Sequence, residues 1–282
     1  MKIGVNTWVW TSPFSTKDFP LIPKVKQMGF DVLEVALEDA SIIDAKLLRK
    51  MTDENGLAVT VCGAFGPTRD ISSEDPAIRK NGADYIRDSI RFAEAAGSHL
   101  FAGPVYSAVG KTRLIAEAQK KQEWAWCVDN LRELAKVADG AGVTIGVEPL
   151  NRFESDMINL VEQAVELVRD VGSPTYKIHI DTFHGNIEEK SIPAAIRKLG
   201  KGMLCHFHAC ENDRGIPGSG HQDWNGIRDA LREVEYDGAA VIESFTPGAV
   251  EIAKAASIWR PLARSQDELA MEGVRFLREL LG

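Results

Sequence analysis

Four short blocks in the second half of the chain hold the residues able to do acid–base or metal chemistry: VEPLNRFE (147–154), HIDTFH (179–184), CHFHACENDR (205–214) and VIESF (241–245). Each takes in the close of a strand-like run, and the residue that closes the run ionises or ligates: Glu148, Asp181, His208 and Glu243. One acid closing a strand has an ordinary explanation as a helix cap or a solvated side chain. Four on consecutive strands converge, and charges gathered in an interior must be paired or metal-bound. Three carboxylates and one imidazole without a thiolate suit a divalent ion, Mn²⁺ first, with Co²⁺ or Mg²⁺ as alternatives, better than a structural Zn²⁺.

A second set of polar residues lies at short offsets from these four. Glu154 follows Glu148 by six positions, His184 follows Asp181 by three and Arg214 follows His208 by six. All three are expected in loops after strands, where substrate-binding groups concentrate. His179 and His206 share strand parity with Asp181 and His208, so they are expected one layer deeper on the same face. Cys205 and Cys210 flank His208 without needing to bind. With Cys62 and Cys127 they lack CxxC spacing and read as buried small hydrophobes. Trp8, Trp10, Trp124, Trp126 and Trp224 read mostly as core or rim packing, and a tryptophan near the end of the first strand is a candidate apolar wall for a sugar.

The elements that must position these groups alternate along the whole chain. Strands are predicted at Ile3–Trp8, Val32–Ala36, Ala58–Cys62, His99–Gly103, Val143–Glu148, Tyr176–Asp181, Met203–His208 and Ala239–Glu243. Helical patterns follow them, punctuated by Gly29, by Asp75–Pro76, by Gly172 and by the capping-box spacing Ser265-x-x-Glu268. Eight βα units in 282 residues, with no linker-like break, predict one (β/α)8 barrel domain over 1–282. A doubly wound open sheet is disfavoured because neither GxGxxG nor a P-loop follows any strand. Phe245 to Arg264 reads as an ordered excursion, and GIPGSG (215–220) as loop.

Composition narrows the partners. With 33 Lys and Arg against 41 Asp and Glu, the net charge of −8 argues against a nucleic-acid binder. The N-terminal stretch resembles neither an export signal nor a membrane span, so the expected location is cytoplasmic, with no membrane partner.

Taken together the four blocks resemble the ketose 3-epimerases, the D-tagatose and D-psicose (allulose) 3-epimerase group of the xylose-isomerase-like TIM barrels. The resemblance spans the chain and is most specific in VEPLNRFE, HIDTFHGNIEE, HFHACENDRGIPG and VIESF. It implies that Glu148, Asp181, His208 and Glu243 are metal ligands and that Glu148 and Glu243 are also the two acid/base residues. It further implies that Glu154, His184 and Arg214 hold the O1–O3 region of the substrate, and that Phe245 lies near the sugar's distal end. The implied reaction is inversion at C3 of an unphosphorylated ketose of the D-tagatose, D-psicose/D-fructose or L-ribulose type, through a metal-stabilised enediolate. A homodimer or homotetramer is implied as well. The nearest rival is an aldose–ketose or hydroxypyruvate-type isomerase on the same barrel. An abasic-DNA endonuclease would want more histidines and a basic face, and a non-catalytic sugar-binding protein would not need two carboxylates flanking one carbon.

Overall fold

Strands buried on both faces have to come from near-continuous apolar runs, and a parallel pair needs a helical crossover between its members. The sequence supplies both, and the computed structural model, which describes residues 1–282, shows the outcome. The strands are β1 Lys2–Asn6, β2 Val32–Leu37, β3 Ala58–Gly63, β4 Leu100–Gly103, β5 Thr144–Val147, β6 Tyr176–Asp181, β7 Leu204–His208 and β8 Ala239–Ile242. All pair in parallel and in chain order, and β8 closes on β1, with Ile3 opposite Ala240. The expected barrel is therefore the observed one. Closure also removes the open-sheet alternative.

The helices start and stop where their signals stand. Asp75 accepts from Ala77 N and opens the helix Pro76–Ala95, Ser265 accepts from Glu268 N and opens Gln266–Leu281, and Gly172 ends Val161–Val171 at φ 73°. Leu269, Leu277 and Leu281 of the last helix are buried, as its apolar spacing predicts. No helix is long and apolar enough to cross a membrane.

Three local expectations are corrected. Trp8 is not in β1, because the Asn6 side chain accepts from Trp8 N and turns the chain into a 3-10 segment, Thr7–Val9. Glu148 and Glu243 stand one residue past β5 and β8 rather than at their last residue. His184 is not in a loop. Asp181 Oδ1 accepts from Phe183 N and caps a short helix, Thr182–Glu188, whose first turn carries His184.

The barrel interior is polar where a barrel core is ordinarily branched and aliphatic. His179 and His206 are register partners, as are Asp181 and His208, so the expected layering holds. Gly146 makes the space: a Cβ there would come within 3.2 Å of His179 Cβ. The excursion after β8 is ordered, with a helix at Val250–Ala255, and Ala253 and Ile258 pack with Trp8 and Phe245.

A charge network pins the loop after β4. Lys111 Nζ lies 2.8 Å from Asp70 and 2.9 Å from Glu123, and Arg113 donates to Glu123 at 2.9 and 2.7 Å. The same loop meets the segment after β5 through Gly110 N donating to Glu154 O at 2.7 Å, so the network supports Glu154 from behind. Burial works against the Glu123 carboxylate, but the hydrogen bonds from Arg113, Gln119 and Lys111 win and hold its pKa down at about 2, against 4.5 for a free glutamate. A depressed carboxylate pKa gives stability that is present above pH 4.5 and lost as pH falls towards 2. The shift corresponds to at most about 3 kcal/mol, and with Arg113 part-exposed about 1–2 kcal/mol is expected. In thermal melts Glu123→Gln is therefore destabilised at neutral pH, and its deficit against wild type shrinks below pH 4.5. An equal deficit at all pH values would contradict this.

Candidate functional site

Three of the four sequence-predicted ligands offer donor atoms within 4.8 Å of one another: Asp181, His208 and Glu243. Glu148 joins Asp181 and His184 in an overlapping group within the same limit. All are buried. The positive charge among them is Arg214, whose Nη1 donates to Asp181 Oδ2 at 2.7 Å and also to Glu243 Oε2. Its Nη2 lies 3.1 Å from His184 Nε2, and its guanidinium sits over the rings of Phe183 and Phe245 at 4.3 and 5.1 Å. Arg214 has a left-handed backbone, φ 66°, uncommon for a side chain with a Cβ. Ser244 Oγ donates to its carbonyl at 2.7 Å and helps hold that turn.

The two ring nitrogens of His208 have different surroundings. Nε2 lies 2.6 Å from Glu34 Oε1, whereas Nδ1 is buried without a hydrogen-bond partner, 3.4 Å from Glu243 Oε1 and 3.8 Å from Asp181 Oδ2. With no cation bound, burial opposes a second ring proton but the carboxylates of Glu34, Glu243 and Asp181 outweigh it and raise the His208 pKa, so Nδ1 sits where a positive charge is favoured. A cation among Nδ1 and the two carboxylates would supply it, and a carboxylate behind a ligating histidine is the usual partner that sets its tautomer. The donor set therefore fits a divalent metal ion.

Glu34 is not among the sequence-predicted residues. It is fully buried in β2 and takes Asn6 Nδ2 and Thr60 Oγ1 at 3.0 Å each, and His206 Nε2 lies 2.6 Å away, off the line of a good hydrogen bond. Burial opposes its charge, but His206 and His208 outweigh that and keep its pKa well below the usual carboxylate range. The sequence does carry a signal for it: a lone glutamate in the run VLEVAL cannot be left unpaired in a parallel strand buried on both faces.

The opposite shift appears at Glu148. Burial first, then the charge of Glu243, pushes its carboxyl well above the usual range, while Asp181, equally buried, is held well below it chiefly by Arg214. Neighbouring carboxylates with pKa values forced apart are a mark of acid–base sites. His184 Nε2 lies 3.7 Å from Glu148 Oε1, and His184 Nδ1 accepts from Asn151 N at 3.1 Å. Asn151 also donates to Glu154 Oε1 at 2.9 Å, so one side chain ties Glu154 to His184. His179 packs edge-on against His208 at 4.2 Å, with both ring nitrogens unpartnered. Burial holds its pKa well below that of a free imidazole. Cys210 is buried beside the cluster, its Sγ 3.6 Å from Asp181 Oδ2 and 3.2 Å from the Glu243 carbonyl.

Five of these groups open into one cavity of about 440 Å³, which is lined by Glu148, Glu154, His184, Arg214 and Glu243 at its inner end and by Trp8, Glu38, Phe245 and Ile252 towards its mouth. That space is in the range of small-molecule sites and lies at the C-terminal end of the strands, where barrel enzymes place their chemistry.

The family model described as Xylose isomerase-like TIM barrel matches residues 22–280. D-psicose 3-epimerase of Agrobacterium fabrum is 33% identical over the full length of both chains. L-ribulose 3-epimerase of Mesorhizobium japonicum is 31% identical over 98% of this chain and 93% of its own. The crystal structure of D-psicose 3-epimerase with D-tagatose from Clostridium cellulolyticum H10 superposes with a TM-score of 0.90 at 32% identity, covering 100% of this chain and 99% of that one. The chain is thus an isomerase-class enzyme that belongs to the xylose isomerase-like TIM barrel family, on its ketose 3-epimerase branch.

Proposed function

We propose that this protein inverts C3 of unphosphorylated ketoses, with substrates of the D-psicose/D-fructose, D-tagatose or L-ribulose type, and that Glu148 and Glu243 are its two acid/base residues. The observation that carries the reading is that these two glutamates, which follow strands three apart in the barrel order, line one cavity and each share a donor cluster with Asp181. Inversion needs a proton taken from one face of C3 and returned to the other, hence two groups.

Glu148, Asp181, His208 and Glu243 would hold a divalent ion, Mn²⁺ by preference, which when bound would supply Lewis acidity to stabilise negative charge on the substrate. The protein's own side chains do the rest. One glutamate removes the C3 proton, the other protonates the opposite face, and reversal of the reaction exchanges their roles. Arg214 and His184 donate towards the oxygens on which charge develops as the enediolate forms. Glu154, tied to His184 through Asn151, orients the hydroxyl end near the carbonyl. Trp8 and Phe245, ring centroids 5.4 Å apart, keep water from the distal side.

Solvent-hydrogen incorporation tests the reading against an aldose–ketose isomerase. With the Mn²⁺-loaded enzyme in D₂O, a ketohexose is expected to take up label at C3 and to appear as its C3 epimer. Label at C1 or C2 with aldose formation would establish the isomerase instead.

A further inference from the structure

The mouth of the cavity carries a third glutamate in the position that Glu148 and Glu243 occupy. Glu38 stands one residue past β2, as those two stand one residue past β5 and β8. It is held in place rather than solvated. Trp8 Nε1 donates to Oε1 at 3.0 Å, Ser12 Oγ donates to the same oxygen at 2.6 Å, and Arg69 Nη2 fixes the Glu38 carbonyl at 2.7 Å. No protein donor reaches Oε2. The only lysine or arginine lining the cavity is Arg214, which is committed to Asp181 and Glu243 at the inner end.

We propose that Glu38 is a specificity-determining residue whose free carboxylate oxygen accepts a hydrogen bond from a hydroxyl on C5 or C6 of a ketohexose. The inference rests on the epimerase reading, because it takes the carbonyl end of the sugar to lie at Glu148, Arg214 and Glu243. The chemistry is selective in two ways. A carboxylate accepts but cannot donate, so it rewards a hydroxyl and gives nothing to a deoxy carbon. It also repels an anion, so a terminal phosphate, with Glu251 at the same rim and no cation opposite, is excluded. Trp8 acquires a second function: besides forming an apolar wall, its indole N–H aims Glu38.

The test uses full-length Mn²⁺-loaded enzyme and three sugars: a ketohexose, its 5-deoxy form and its 6-deoxy form. For the parent sugar, Glu38→Ala is expected to raise KM roughly tenfold with kcat within about twofold, the size of a charged hydrogen bond lost at a part-exposed site. For one of the two deoxy sugars, wild type and variant should have the same KM. Glu38→Gln, which keeps the shape of the side chain but not its charge, should fall between and serves if the alanine variant does not accumulate. Partial unfolding lowers kcat for all three sugars by one factor and leaves the KM ratios readable. An equal KM change for all three sugars, or no change for any, overturns the assignment. Turnover of the parent sugar by wild type tests the epimerase reading separately. If wild type does not turn it over, equilibrium binding of the same three sugars gives the same ratios and decides the role of Glu38 in the same way.

Discussion

Glu148→Gln and Glu243→Gln are each expected to lower kcat for epimerisation by roughly 10²–10⁴-fold, the usual worth of a positioned acid–base group. Glutamine keeps the length of the side chain and an oxygen that can still ligate, but it cannot take up a proton. The two variants should also differ in a way that a merely structural lesion would not produce. Each epimer presents its C3 hydrogen to one glutamate, so a variant with one base intact should still exchange that hydrogen with D₂O in one epimer while failing to invert it. Glu148→Gln and Glu243→Gln should therefore show exchange with opposite epimers. A variant that retained most of its epimerase activity would remove the two-base mechanism. The buried surroundings are what give the pair its reach. Burial and the charge of Glu243 raise the proton affinity of Glu148 when no cation is bound.

Exhaustive chelation is expected to reduce activity to background, and added Mn²⁺ to restore it. Full activity in chelator would exclude the metal. The structural basis is the orphaned Nδ1 of His208 between Glu243 and Asp181, and the 2.6 Å contact of Nε2 with Glu34 that turns the ring so. Glu34→Ala should weaken divalent-ion affinity by about 10–100-fold, the range found when the partner behind a ligating histidine is removed. Titration calorimetry on the apoprotein reads this directly and does not depend on turnover. Unchanged affinity in a folded Glu34→Ala protein would show that His208 does not need Glu34 to present Nδ1. The variant must be compared with Glu34→Gln, because removing a fully buried carboxylate leaves four polar contacts without an acceptor.

How much of the site is legible in the sequence differs residue by residue. Glu148, Asp181, His208 and Glu243 can be found because the βα alternation marks strand ends and because a charge at a strand end is an exception to the apolar run before it. Glu34 carries a signal of the same kind, a charge inside such a run, but it sits mid-strand rather than at an end. What it pairs with is 172 and 174 positions away along the chain, at His206 and His208, and no local pattern states that. His184 reads as loop because three residues after a strand is ordinarily loop. Asp181 converts that loop to a helix by capping it with Oδ1 while Oδ2 faces Arg214. Trp8 reads as strand because its run is apolar, and the hydrogen bond from its own backbone to Asn6 overrides that preference.

The sequence alone determined the eight-unit barrel, the four ionisable or ligating residues at its strand ends and the family, because periodicity, capping residues and the identity of strand-end side chains are local properties. Tertiary structure alone decided which nitrogen of His208 is left free, that Arg214 bridges Asp181 and Glu243, and that Glu38 and Trp8 form one unit at the mouth. Those facts depend on hydrogen-bond direction and on burial among strands brought together only by closure of the barrel. In that low-dielectric interior an unmade contact is costly enough to fix each orientation.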